Sequence, residues 1–189
     1  MVNSPTVTLI IGDRGAGKTT LCEKLYRRAA DRGLDVCGII SYAVFDEADR
    51  KVGIDAFTIS AGTTVPLARK DGSLRGSRWA CYTFSDDAFN DCVRATVQAL
   101  DEGTDVLILD EIGPLELAVQ KGFLPILRFL ESSQLPHQTV AVVRPSLHER
   151  LKRFFAHSRS RPDIQTVQVS PDNRDRLLGE MFNSDNQFL

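Results

Sequence analysis

Nine residues near the start of the chain constrain it more than any others: Gly12-Asp-Arg-Gly-Ala-Gly-Lys-Thr-Thr20, preceded by the apolar run Val7-Thr-Leu-Ile-Ile11. The spacing G-x-x-x-x-G-K-T, with Gly12, Gly17, Lys18 and Thr19 in the fixed places, calls for a buried strand, a glycine-rich turn and the opening of a helix. Glycine lets the backbone turn tightly and approach an anion with no Cβ in the way. Successive N–H groups and a helix N-terminus both favour negative charge there. The expected phosphate-binding set is Gly12, Asp13, Arg14, Gly15, Ala16, Gly17, Lys18, Thr19 and Thr20. Within it Lys18 places an ammonium between β- and γ-phosphates, a catalytic as well as a binding role, and Thr19 offers its hydroxyl to Mg²⁺. A chain of this length meets the string by chance roughly once in a hundred times or fewer. A glycine-rich surface turn with an incidental lysine is therefore the weaker reading.

The remaining composition narrows the class. At 189 residues the chain is sized for one domain, residues 1–189, with room for a sheet core. A formal net charge of -2 gives no polyanion-binding surface, so no nucleic-acid partner is expected. No apolar run approaches the roughly eighteen residues a membrane span needs. The N-terminal Met-Val-Asn-Ser-Pro carries neither a basic region nor a signal-like apolar stretch, so the expected location is cytoplasmic. Cys22, Cys37, Cys81 and Cys92 form no C-x-x-C and no regular metal spacing; they read as small buried thiols.

Along the chain, periodicity predicts alternating strands and helices. Lys18 to Arg32 reads as a helix stopped at Gly33, and Val36–Ser41 as a second interior strand. Tyr42–Phe45, the polar turn Asp46–Lys51, Val52–Phe57 and then Thr64–Ala68 read as a small antiparallel hairpin insertion over about residues 42–82. Arg69 to Tyr82 is irregular, basic and aromatic, with Trp79 in it; it reads as a mobile cover for a nucleotide or acceptor, or as a solvated loop. Asp86–Glu102 is a predicted helix capped by Ser85, and Asp105–Glu111 a buried strand. Helices at about Lys121–Ser133 and Leu147–Phe155, strands at Thr139–Val143 and Thr166–Val169, and a closing helix from Arg174 to Phe182 complete the series. The fold expected is α/β: a three-layer sandwich with a mainly parallel sheet and helices on both faces.

Two carboxylates end the strand at Asp110 and Glu111, where a buried interior cannot hold them cheaply. Ligands of open parallel sheets bind beyond the carboxyl ends of the strands, so these acids and the glycine loop belong at one edge. Asp110 is the expected Mg²⁺ ligand opposite Thr19, against the bland reading of a solvent-facing turn. Glu111 is the expected group that orients the attacking water, against a role as structural acceptor. A cation should stabilise charge developing on the transferred phosphoryl group. Arg144, directly after a strand, is the first choice; Arg14, Arg159 and Arg161 are the others.

With these residues in place a resemblance is visible. The glycine loop together with Leu109-Asp-Glu-Ile-Gly-Pro-Leu-Glu-Leu117 resembles the small P-loop nucleoside-triphosphatases of thermophilic bacteria and archaea and their cancer-related human relative. Gly33-Leu-Asp-Val-Cys-Gly38 and Asn173-Arg174-Asp175 are similar to two further segments of that family, so the likeness runs from Leu9 to about Leu178. It implies Mg²⁺-dependent hydrolysis of ATP, GTP and other nucleoside triphosphates to diphosphates, with Lys18, Thr19, Asp110 and Glu111 in the roles above and Glu116 matching the family's later acid. Two segments depart from it. Ser41-Tyr-Ala-Val-Phe-Asp46 replaces a threonine- and glutamate-rich stretch, and the Arg69–Trp79 loop has no equivalent.

Two other functions share the loop, the metal and the sheet. A nucleotide or small-molecule kinase would use the Arg69–Trp79 loop for an acceptor and Arg144–Arg161 as a lid. An NTP-dependent accessory or switch protein would act on a protein or cofactor partner and turn over slowly.

Overall fold

A computed structural model describes residues 4–181. Met1–Asn3 and Phe182, the expected end of the last helix, lie outside the described residues.

The chain opens with strand β1 (Thr6–Ile11), the glycine loop and helix α1 (Lys18–Ala30). Strands β2 (Val36–Phe45), β3 (Lys51–Thr58) and β4 (Thr63–Arg69) follow, then a two-residue β5 (Arg78–Trp79) and a short β6 (Tyr82–Phe84). Helix α2 (Asp86–Glu102) leads to β7 (Val106–Ile112), a single turn α3 (Pro114–Leu117) and α4 (Leu124–Ser132). The chain closes with β8 (Gln138–Val143), a 3₁₀ turn at Pro145–Leu147, α5 (His148–Ala156), β9 (Asp163–Gln168) and α6 (Arg174–Glu180).

The nine strands among the described residues form one sheet in the order β5-β6-β4-β3-β2-β7-β8-β1-β9. From β2 to β9 the pairing is parallel; β3, β4, β6 and β5 extend it antiparallel. The parallel strands are apolar on both faces because helices cover both. Leu9, Ile39, Leu107, Leu109 and Ala141 pack with Phe89 of α2, Ile126 and Leu127 of α4 and Phe155 of α5. Their alternates Ile10, Ile40, Ile108, Val140 and Val142 pack with Leu21, Cys22 and Leu25 of α1 and Leu177 of α6. This is the expected three-layer α/β sandwich.

Three details differ from the sequence reading. The antiparallel part is four strands wide, not a single small hairpin. Tyr42–Phe45 is not a separate strand: β2 runs unbroken to Phe45, with Val36–Ile40 paired to β7 and Ile39–Phe45 to β3. Its composition changes at Ser41 because beyond that point the strand has only one neighbour. Finally, part of the irregular basic stretch is a tight β5–β6 hairpin at the sheet edge, where Trp79 pairs with Tyr82 and stays 42% exposed.

Candidate functional site

The glycine loop leaves β1 at the carboxyl edge of the sheet. Its shape depends on missing side chains. A Cβ on Gly12 would stand 2.5 Å from the Val169 carbonyl oxygen, and Gly17 has φ +90° with the Arg174 side chain 2.9 Å from its missing Cβ. The contacts come from the segment after β9, which the Val169 N–H ties to Ile11 O at 2.8 Å, and from the first residue of α6. Asn173 fixes that segment, accepting from Ser170 N–H and donating to Gln168 O, and Asp175 pairs with Lys24 of α1 at 2.6 Å. The Asn-Arg-Asp resemblance thus has a physical content: it braces the loop from behind.

Lys18 curls back over the loop, donating to the carbonyls of Gly12 (2.8 Å) and Asp13 (2.7 Å). Thr19 hydrogen-bonds Asp110, whose carboxylate also accepts from Ser41 N–H at 3.4 Å. Asp110 is 3% exposed, and burial raises its pKa to about 6 against the opposing pull of Thr19, Ser41 and Lys18, with Glu111 adding to the rise. Lys18 and Thr19 therefore meet Asp110, distant from them in sequence, at one place, the end of β1 and β7.

Glu111 is half-exposed and accepts from Arg144 Nε at 2.7 Å. The first-choice cation and the expected water-orienting acid thus form a pair, with Arg144 on the stretch that follows β8. Glu116, by contrast, is buried and structural: its oxygens accept from Gly113 N–H (2.9 Å) and Phe123 N–H (3.1 Å), holding α3 and the start of α4 under β7.

Two candidates are displaced. Arg159 and Arg161 precede β9, whose first residue Asp163 pairs with Thr6 at the start of β1. They sit at the opposite edge of the sheet, about 20 Å from the glycine loop by strand length. Arg159 N–H donates to Glu131 O, and Ser160 Oγ accepts from Leu135 N–H, so this connection is packed beneath α4. It cannot be a lid, and the kinase reading loses that part.

One residue outside every motif enters the site. Lys51, opening β3, stands in the field of Glu111, Arg14, Arg144 and Asp110. Nothing in the local sequence distinguishes it from other surface lysines. Tyr82, on the edge hairpin, also feels Arg14 of the loop.

A glycine loop at a helix N-terminus, a Lys and Thr on it, and a buried Asp ending the neighbouring strand define a P-loop nucleoside-triphosphate-binding protein of the α/β class. Residues 7–182 match the model of the family described as NTPase. The chain belongs to this NTPase family. A nucleoside-triphosphatase from Ignicoccus hospitalis is 34% identical over 180 residues, covering 95% of this chain and 96% of the relative. One from Methanopyrus kandleri is 30% identical over 175 residues (92% and 91%), and the mouse cancer-related nucleoside-triphosphatase homolog is 28% identical over 180 residues (91% and 92%). No solved structure matches the chain significantly. No helix among the described residues is long and apolar enough to cross a membrane.

Proposed function

We propose that this NTPase-family enzyme hydrolyses ATP, GTP and other nucleoside triphosphates, with Mg²⁺, to the diphosphate and phosphate, and that the residues gathered at the carboxyl edge carry the reaction. The observation behind this is the convergence of the glycine loop with Asp110 and Glu111 at one edge of the sheet. The loop N–H groups and Lys18 bind the phosphates, and Lys18 leaves the loop carbonyls to do so.

The donor set suits Mg²⁺. Thr19 and Asp110 are hard oxygen donors already in contact, and the buried carboxylate, though it feels the charge of Lys18, is in no ion pair among the described residues. No cluster of three His, Cys, Asp or Glu exists among the described residues, and Mg²⁺ does not need one, since it takes further oxygens from water and substrate phosphates. Thr19 and Asp110 would hold Mg²⁺, which when bound would offset the negative charge of the triphosphate.

Glu111 orients a water and takes up its proton as the water oxygen bonds to the γ-phosphorus. The bond from phosphorus to the bridging oxygen breaks, and its electron pair leaves with the diphosphate. Arg144 holds Glu111 in place from the neighbouring strand end.

The test is phosphate release from a panel of nucleoside triphosphates by wild type and Glu111→Gln. A glutamine still accepts from Arg144 but cannot take the proton. Turnover should fall by about 10²–10⁴, while triphosphate affinity stays within roughly threefold, a shift well under 1.4 kcal/mol. Wild-type turnover in the variant would remove Glu111 from the mechanism.

A further inference from the structure

The ribbon formed by β2 and β3 overhangs the site. Ile40 is the last β2 residue paired with β7, opposite Asp110, and Ser41 N–H touches the Asp110 carboxylate. Beyond Ile40 strand β2 continues for five more residues, Ser41 to Phe45, paired only with β3, up to Phe45 opposite Lys51. The overhang therefore rises past the strand ends where the glycine loop, Asp110 and Glu111 lie.

The two cations at its tip are used in opposite ways. Arg50 is exposed and closes the turn from outside, bonded to the Asp46 carboxylate at 2.7 Å, which also accepts from the N–H groups of Ala48 and Arg50. Lys51, the next residue, is half-buried at the end of the ribbon that passes the site, and its charge feels those of Glu111, Arg14, Arg144 and Asp110. Its ammonium has no hydrogen bond or ion pair within the described residues. A tip lysine ordinarily extends into water, because withdrawing an ammonium without a partner is costly. The cost shows in its acidity: burial lowers the Lys51 pKa, with Arg14 and Arg144 adding to the fall and Glu111 and Asp110 opposing it.

The other cations of the site are less available. Lys18 donates to the loop carbonyls, Arg144 is committed to Glu111, and Arg14 lies exposed at the loop tip. Lys51 has all its donors uncommitted and is already partly desolvated.

Resting on the hydrolytic reading above, we propose that Lys51, brought over the site by the β2–β3 ribbon, contacts the γ-phosphate and stabilises charge on its oxygens during transfer. The ammonium keeps its protons throughout, while the bonds made and broken are those of hydrolysis. A contact to the third phosphate also makes Lys51 a discriminator between triphosphate and diphosphate. This gives the antiparallel extension a catalytic purpose, since it carries a cation that the P-loop and the strand ends do not supply.

The test compares wild type, Lys51→Met and Lys51→Arg, with Arg94→Met on α2 as an equal change of charge far from the site. Equilibrium binding of a fluorescent nucleoside diphosphate and of its non-hydrolysable triphosphate analogue is measured with Mg²⁺, alongside phosphate release and thermal melting. Lys51→Met should weaken the triphosphate analogue about tenfold and the diphosphate less than about twofold, and lower turnover by roughly 10²-fold. Lys51→Arg should recover part of both losses, and Arg94→Met should change neither. Equal losses for di- and triphosphate, or full turnover in a folded Lys51→Met, would overturn the proposal. If wild type releases phosphate from no triphosphate, it is the hydrolytic reading that fails. The binding comparison then still decides the γ-phosphate contact, with equal losses of di- and triphosphate affinity in Lys51→Met ruling it out.

Discussion

Asp110 lies at the end of an apolar strand, 3% exposed, and its carboxyl is held at about 6 by burial even though Thr19 and Ser41 donate to it. A carboxyl whose folded pKa lies above its unfolded value near 4 favours the folded state most when protonated. Its contribution is present below about pH 4 and is lost as pH rises through 6. At neutral pH the ionised group is therefore a burden on the metal-free fold, a strain kept for function. Asp110→Asn keeps the acceptor for Thr19 and Ser41 and removes the charge. In EDTA at pH 7.5 it should stabilise the protein by roughly 1–3 kcal/mol, a melting temperature higher by about 2–4 °C per kcal/mol, while abolishing Mg²⁺-dependent turnover. The gain should shrink on acidification to pH 4.5. A variant that melts lower than wild type at pH 7.5 contradicts the buried-charge account. At this scale the motif residues Lys18, Thr19 and Asp110 were legible because their spacing is chemical. Lys51 was not, because its nearness to Glu111 comes from a ribbon folding over the sheet edge. Arg159 and Arg161 were misplaced by a rule that was available: a connection leaving a helix for a parallel strand lies at the amino edge, whereas one following a strand, like that of Arg144, lies at the carboxyl edge.

Elements were legible where local and tertiary signals agree. Helix α2 begins and ends as the periodicity predicts, from Asp86 to Glu102, because Ser85 caps it and Gly103 ends it with φ +100°. The Ala88 N–H donates to Ser85 Oγ at 3.1 Å, and Asp86 and Asp87 sit in the first turn, where the helix dipole favours acids. Ser85→Ala leaves that N–H without its acceptor and should cost about 1 kcal/mol, seen as a melting temperature lower by about 2–4 °C. Since the cap is remote from the glycine loop, turnover should be unchanged; a loss of activity at constant stability would tie α2 to the site. Strand β2 was divided in two because its half beyond Ser41 pairs only with β3 and so read as a separate hairpin strand. The α3 turn was missed because four residues carry no period, and its fixing by Glu116 is a contact between a buried carboxylate and two backbone N–H groups. The edge hairpin β5–β6 is held by cross-strand pairing of two residues, too short to be read from alternation.

At the scale of the whole molecule, one sheet separates two apolar layers, and three of the four cysteines are sealed within them. Cys22 lies on the buried face of α1, Cys37 and Cys92 lie in the layer of α2 and α4, and Cys81 alone is exposed, at the edge hairpin. In the native protein at pH 8 a thiol reagent should therefore modify one cysteine quickly and the other three only on unfolding. The same burial sets the alkaline limit of the fold. Burial pushes the Cys37 thiol up to about 11, with Thr104 opposing, and raises Cys22 and Cys92 as well. The unfolded chain, with ordinary thiols near 8.5–9, loses these protons first. From about pH 9 to 11 the unfolded state binds fewer protons than the folded one, so stability falls as pH rises. Cys37 alone accounts for roughly 2–3 kcal/mol of that fall. Half-buried Lys51, whose pKa is lowered, acts in the opposite sense and more weakly because water screens it. Denaturant unfolding followed at pH 8 and pH 10.5 should show the loss, and Cys37→Ala should flatten the slope while lowering stability at both pH values through its small cavity. An unchanged slope in that variant would move the alkaline sensitivity away from the core thiols and onto charge repulsion at the surface.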